Sequence, residues 1–418
     1  MAALLRPSGL LEARHWQTLW LLGGASFFTG YDAGIVTVAL PQVRASYHLS
    51  QATASMWVAL LPLGTLPAVM IARRADRIGR RRLLLVSISG FTLATCATGL
   101  APGIAIFVVC QASAGFLLGV EGILAWTVIA EELPAASRGF GFGWLAMLSA
   151  LGTGWSAILY AAILHPAAFS WRILYLAAVP VLIPLAVLRR RLPESRRFLA
   201  ARDAQRLAAR WSELLRPPHR SRLLLVCITA ALVSLTAQAS VFVVDFMQTE
   251  RHLSATAANF VLLGAGAVAV PVLIFAGSVS DRLGRKPVCC GFLVLGVLGL
   301  VWFFMLAQTT AALFGALALT YIGQFGAWPT GTGFGAELFP TALRALGGSA
   351  ATISTAVGTS ASFVLAGLLI SAGGVSHAVL VLALGPLIAA ALIASRFPET
   401  GGRELEAISA DLSRTDTS

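Results

Sequence analysis

Apolar residues in this chain come in long runs, each about twenty residues or more, separated by short polar stretches. A run of that length crosses a bilayer as a helix. The pattern predicts twelve such spans, at about 17–41, 53–72, 83–101, 104–130, 139–164 and 172–188, then at about 223–247, 256–277, 288–307, 311–336, 345–371 and 375–394. The expected fold class is therefore all-α integral membrane, with twelve transmembrane helices. Residues 1–188 form a first six-helix bundle and 223–394 a second. Between them lies a polar linker, 189–222, with eleven arginines, three acids and the helix-stopping pair Pro217-Pro218. A short polar tail, 395–418, follows the last span.

The polar stretches repeat. "ADRIGRR" (Ala75–Arg81), between spans 2 and 3, returns as "SDRLGRK" (Ser280–Lys286), between spans 8 and 9. "EELPAASRG" (Glu131–Gly139), after span 4, returns as "ELFPTALRA" (Glu337–Ala345), after span 10. "RLPESR" (Arg191–Arg196) returns as "RFPETG" (Arg396–Gly401). The offsets are 205 for Asp76/Asp281, 206 for Glu131/Glu337 and 205 for Glu194/Glu399. Three loops matched in register indicate a tandem duplication of a six-helix unit. Six is even, so both copies enter the membrane in one orientation, and a pseudo-two-fold axis along the membrane normal should relate them.

Composition agrees with the pattern. Of 418 residues, 57% are hydrophobic and only 11% charged, and the mean hydropathy is +0.82. The net charge of +12 would suit nucleic acid, but its placement argues for membrane topology instead. With the spans above, 27 of the 30 Lys+Arg fall on one side, leaving only Arg44, Arg172 and Arg251 on the other. Both termini and the linker are therefore expected in the cytoplasm, with the chain in the plasma (inner) membrane and no nucleic acid as partner. The five cysteines lie in or beside apolar segments without metal-ligand spacing, so they are read as buried hydrophobes. The first apolar run lacks a small-residue cleavage site and is read as a retained span.

These loops resemble those of the major facilitator superfamily over essentially the whole chain. The PES/PET pair and the two E-x-x-P-x-x-x-R loops are similar to the branch of sugar porters, proton-coupled metabolite symporters and synaptic-vesicle-like carriers. There are departures. Ala72 stands where the first-half loop usually has Gly, and Gln111 stands where span 4 often has Arg, ahead of Gly115 and Gly119. Span 7 lacks the paired glutamines of sugar porters, and "LGTGWS" (Leu151–Ser156) lacks the Gly-Pro signature of drug/proton antiporters. The resemblance implies a cytoplasmic gate of ion pairs holding the bundles together in an outward-facing state. Asp76, Arg80, Glu131, Arg138 and Glu194 form one set, and Asp281, Arg285, Glu337, Arg344 and Glu399 the other. Exposed pairs worth about 0–1 kcal/mol each are weak enough to break in every cycle.

Three acids lie inside spans: Asp32 in span 1, Glu121 in span 4 and Asp245 in the outer part of span 7. A carboxylate at mid-bilayer costs about 2.5–3.5 kcal/mol on insertion scales, so such residues face a cavity or a partner. Desolvation favours the neutral form of a carboxyl, which is the chemistry a proton-coupled carrier needs. Asp32, between Gly30 and Gly34, leads; it also matches a span-1 acid of the proton-symporter branch. Glu121 has Ala114 and Ala125 on its helical face, which leaves room for solvent. Asp245, a turn from the span's end, could simply meet water, and a structural hydrogen bond is the alternative for the other two. Gln238 and Gln248 on span 7, with Tyr321, Gln324 and Trp328 on span 10, make polar-edged stripes that could line a substrate path, though such stripes also arise from packing. No Arg, Lys or His falls securely within a span. That favours a sugar, polyol, zwitterion or small cation over an organic acid.

The expected function is secondary active transport of a small polar solute, by proton symport with alternating access. Proton-driven efflux is the alternative, and a non-transporting sensor a more distant one. No catalytic constellation, cofactor or metal site is read from the sequence, so no enzyme is expected. The expected partners are the solute, protons and the bilayer, with the chain acting as a monomer.

Overall fold

In hydrocarbon a backbone amide finds no water, so a spanning segment must satisfy its own hydrogen bonds, and the helix does so. A computed structural model describes residues 11–72, 79–133, 138–163, 171–191, 211–217, 219–339 and 343–399, and among them there is no strand. Nine of the described helices are long and apolar enough to cross a membrane. One of these, Leu346–Arg396, is long enough for two, and Gly374 divides it with φ 80° and ψ 176°. The shorter apolar helix Arg172–Leu188 and the first helix, Ala13–Ser46, complete the twelve.

Several spans depart from smooth helices. Span 2 was expected as one helix over 53–72, but it is Gln51–Val58, a 3₁₀ turn Pro62–Thr65 and then Leu66–Ala72. Pro62 and Pro67 carry no amide hydrogen to continue an α ladder, which accounts for the break. Span 7 breaks at a 3₁₀ turn, Ser234–Thr236, between His219–Val233 and Ala237–Thr249. Span 8 runs Ala255–Leu283, six residues beyond its apolar stretch, because a helix can continue into polar surroundings where hydropathy stops. Arg285–Val301 ends in a π turn, Trp302–Leu306.

The contacts divide the chain into two compact units. The first comprises Met1–Ser50 with Leu60–Arg206, and the second Gln51–Ala59 with Leu207–Ser418. The first piece of span 2 thus groups with the second unit. There Ser55 Oγ donates to Phe363 O at 2.6 Å, and a Cβ at Gly367 would press on Ala52 O and Met56.

Within the first unit, span 1 lies directly on span 5 (Arg138–Ile163). A Cβ at Gly30 would fall on the Ser149 carbonyl, one at Gly34 on Ser156, and one at Gly152 on the Phe27 carbonyl. Small residues here permit backbone-to-backbone approach. Thr153 Oγ1 donates to Gly30 O at 3.1 Å, and Tyr31 Oη donates to Leu174 O on span 6 at 2.6 Å. These contacts set the rotation of span 1 about its axis. In the second unit, Gly296 and Gly299 of span 9 meet Gly323 and Thr320 of span 10 (Thr310–Glu337) equally closely.

Arg172 and Arg251 cap helix ends. Arg172 Nη2 donates to Ala101 O at 2.7 Å beside the Tyr47 hydroxyl at 3.0 Å, with its guanidinium over the Trp171 ring. In the second unit Phe304 O, near the end of the π turn, accepts from Ser376 Oγ at 3.0 Å and Arg251 Nη2 at 3.4 Å. Arg251 lies over Phe246 as Arg172 lies over Trp171. Each cation answers the partial negative charge of buried carbonyls at a helix end.

The repeated "RFPET" phrase has a local structural role. Phe397 is buried in the second unit's apolar core with Leu293, Leu343 and Ile393. Glu399 accepts from the backbone N–H of Arg285 at 2.7 Å and of Lys286 at 3.1 Å, capping the N-terminus of span 9. A carboxylate there meets unsatisfied amides and the positive end of the helix dipole. Gly284 turns the chain into this cap with φ +95°, and Gly79, 205 residues earlier, repeats the turn ahead of span 3 (Arg80–Gly99) with φ +98°. Replacing Gly284 with Ala should lower stability by about 1–3 kcal/mol, because that backbone region is nearly closed to side chains and the Cβ would crowd Glu399. Gly266→Ala, in open space on span 8, is the control and should not destabilise. Thermal unfolding in lipid nanodiscs measures both; equal midpoints would remove the cap from the account.

Candidate functional site

Asp32 is 7% exposed, midway along span 1 (Ala13–Ser46). The Gly30 and Gly34 contacts turn one side of span 1 onto span 5, and Asp32 reaches span 4 (Ile104–Glu132). There Gln111 Nε2 donates to its Oδ2 at 2.7 Å. Among the described residues, neither Asp32 Oδ1 nor Gln111 Oε1 has a hydrogen-bond partner. The carboxyl is thus held by one neutral amide and by no cation. Gln111 marks the departure from the family's usual Arg, and the sequence did not identify it as a partner of Asp32.

Glu121 has a different environment. It is 2% exposed, with Ala114 and Ala125 equally buried, so the expected room for solvent is not there. Its Oε2 accepts from Ser87 Oγ at 2.8 Å, and its Oε1 pairs with the guanidinium of Arg189. Arg189 is 0% exposed and also donates from Nη2 to Leu21 O at 3.0 Å. The expectation of a core without cations is therefore corrected. Arg189 heads a run of three arginines at the end of span 6 and reads as the start of the linker. A long side chain carries its charge inward from a helix end. The signal in the sequence was Glu121 itself, since a buried carboxylate calls for a partner.

Asp245 is fully buried rather than open to water at the end of its span. Gln51 Nε2, on the first piece of span 2, donates to Asp245 Oδ2 at 2.8 Å and to Thr249 Oγ1 at 3.3 Å. Of the expected substrate contacts, Gln238 is 0% exposed, and its amide has no hydrogen-bond partner among the described residues. Gln324 reaches span 7, where it meets Ser240 Oγ at 3.4 Å, a residue the sequence reading passed over. Tyr321 stacks on Phe325 of its own helix, Gln248 is half-buried, and Trp328 is exposed. The stripe is therefore not gathered into one set of mutual contacts.

The expected cytoplasmic gate falls mostly outside the described residues. Asp76 and Glu194 lie outside them, as do the side chains of Arg80, Glu131, Arg138, Asp281, Glu337 and Arg344. Arg285 and Glu399 are described, and the Arg285 amide donates to the Glu399 carboxylate in the helix cap inside the second unit.

The Glu121–Arg189 pair predicts an asymmetry. Glu121→Gln leaves a buried guanidinium without its counter-charge and should cost about 3–5 kcal/mol of stability. Glu121→Gln combined with Arg189→Met should recover most of that loss, since an apolar pair avoids both desolvation penalties. Thermal midpoints of the single and double variants test this, and a double variant no better than the single one would refute the pairing.

Comparisons with known proteins bear on the whole chain. A family model described as Major Facilitator Superfamily matches residues 22–245 and 224–413. The niacin transporter of Acinetobacter baylyi is 24% identical over 430 residues, covering 94% of this chain and 96% of that one. The ectoine/proline transporter of Corynebacterium glutamicum is 28% identical over 325 residues, 68% of this chain and 62% of that one. Among solved structures, a D-xylose–proton symporter superposes with TM-score 0.77 at 17% identity, over 93% of this chain and 99% of that one. With twelve helices in two halves and a family match along nearly its entire length, this chain belongs to the major facilitator superfamily, a membrane transporter of metabolites and not an enzyme.

Proposed function

We propose that this transporter moves a small polar organic solute by proton symport, with Asp32 as the proton-binding group. The observation that carries this reading is the environment of Asp32: a buried carboxyl in a span, bonded to the neutral amide of Gln111, with one oxygen unpartnered. No counter-charge among the described residues fixes such a group in its ionised form, so a proton can bind it. Glu121 is a weaker candidate because its carboxylate is already engaged by the Arg189 guanidinium and the Ser87 hydroxyl. Asp245 also accepts from a neutral amide, that of Gln51, but it lies one turn from the end of span 7 rather than midway along a span, which leaves Asp32 the first choice.

The solute is a sugar, polyol, zwitterion or small cation. Arg189, a buried guanidinium of the first unit, is already engaged by Glu121 and the Leu21 carbonyl and so offers no free charge to an organic anion. A zwitterion is the favoured class, since ectoine and proline, the cargo in one relative's name, are of that type. The chain sits in the plasma membrane with both termini in the cytoplasm, consistent with the arginine-rich side of the sequence.

The test is uptake into proteoliposomes carrying an imposed pH gradient. Asp32→Asn mimics the protonated carboxyl permanently, so it should retain solute exchange across the membrane and lose gradient-driven accumulation. Accumulation that survives in Asp32→Asn would end the proposal for this carboxyl. For the topology, a single cysteine replacing His252 in a cysteine-free background should react with an impermeant reagent from outside the cell, and one replacing Ser195 only after the cytoplasmic side is opened. The reverse pattern would invert the orientation.

A further inference from the structure

Asp32 and Gln111 leave two atoms unused, and the pair suggests a role for both. In its ionised form a carboxylate only accepts hydrogen bonds, and Gln111 Nε2 supplies one to Oδ2 at 2.7 Å. Once protonated, the carboxyl carries an O–H that must be donated, and in a dry interior an undonated hydroxyl is costly. The unpartnered acceptor closest in the chain of bonds is Gln111 Oε1, on the same amide group. A half-turn of that amide about its last side-chain bond exchanges its donor for its acceptor.

We propose that Gln111 is the positioning residue for the proton on Asp32: its amide donates through Nε2 to the carboxylate and, turned over, accepts through Oε1 from the carboxylic acid. The proton arrives from water and resides on an Asp32 oxygen, and no other bond forms or breaks. This inference rests on the reading of Asp32 as the proton site. Few other groups compete. The ionisable groups near Asp32 are phenols, Tyr31 beside it and Tyr175 on span 6, both close enough to interact with its charge. Tyr31 already donates to Leu174 O, whereas the Tyr175 hydroxyl, buried and without a partner among the described residues, is a competing acceptor that makes no hydrogen bond to Asp32. Span 5, packed along span 1, carries Tyr160 and, beyond its first residue Arg138, no Asp, Glu, Lys, Arg or His. On span 4, Cys110 neighbours Gln111 in sequence and Glu121 is engaged by Arg189 and Ser87. Arg172, on span 6, is spent on Ala101 O.

The residue type follows from the chemistry. Arginine only donates, so it would serve the ionised carboxylate and oppose the proton. Methionine neither donates well nor accepts well, so it would serve neither form. Glutamine alone among these three satisfies both charge states without carrying a charge.

The experiment is a pH titration of the full-length protein in nanodiscs, following the infrared C=O band of protonated carboxyls. The component lost in Asp32→Asn is assigned to Asp32. Gln111→Arg should move its midpoint down by about 1–3 pH units. Gln111→Met removes a charge-assisted bond to the carboxylate and a weaker neutral bond from the acid, so it should move the midpoint up by the difference, about 1 pH unit. If the arginine variant does not fold, the upward shift in Gln111→Met decides the matter alone. A band that vanishes in Asp32→Asn yet titrates as in the unaltered protein when Gln111 is replaced overturns the role of Gln111 and leaves the proton reading standing. A band indifferent to Asp32→Asn overturns both.

Discussion

A polar atom inside a membrane-crossing bundle has no water to fall back on, and most features of this structure follow from how each such atom is answered. Backbone groups are answered within helices. Where a helix is interrupted, side chains take over: Arg172 and Tyr47 on Ala101 O, Arg251 and Ser376 on Phe304 O, Glu399 on the amides of Arg285 and Lys286. The glycine crossings serve the same constraint from the opposite direction. By letting span 1 lie against the backbone of span 5, they set which residues of span 1 reach span 4.

The two acids of the first unit show how environment separates identical chemistry. Glu121 is met by a full counter-charge, a serine hydroxyl and packed alanines, so its ionised form is satisfied and its removal is expected to be structural in effect. Asp32 is met by one amide, so both of its charge states stay within reach. A carrier that takes up and releases a proton needs the second arrangement, because a carboxylate held too firmly cannot cycle.

Duplication supplies the two halves with matching phrases, yet their details diverge. Gly79 and Gly284 keep the same backbone turn at an offset of 205. The outer caps keep the same task with the parts exchanged. In the first unit the arginine comes from the start of span 6 and the hydroxyl from the end of span 1. In the second the arginine follows span 7 and the hydroxyl begins span 12. What persists is the need of a helix end for a donor, while the residue that meets it is free to change.

Hydropathy alone determined the all-α fold and the twelve crossings, because the cost of an unsatisfied backbone in hydrocarbon depends on local apolar length and not on which helix lies alongside. The matched loops likewise made the duplication legible, and the acids inside spans pointed to Asp32, Glu121 and Asp245. Their partners were not legible. Arg189 belongs by sequence to a basic linker, Gln51 to the start of a span 194 residues before Asp245, and Gln111 to a position distinguished only by not being arginine. The breaks in spans 2 and 7 and the grouping of Gln51–Ala59 with the second unit were equally invisible to the apolar count. The partners and the grouping depend on the rotation of one helix against another, which close glycine contacts and single hydrogen bonds decide, whereas the break in span 2 follows from Pro62 and Pro67. Whether a buried charge is locked or free to titrate is therefore a property of tertiary packing, since it is set by the atoms within about 4–6 Å and not by the run of sequence that contains it.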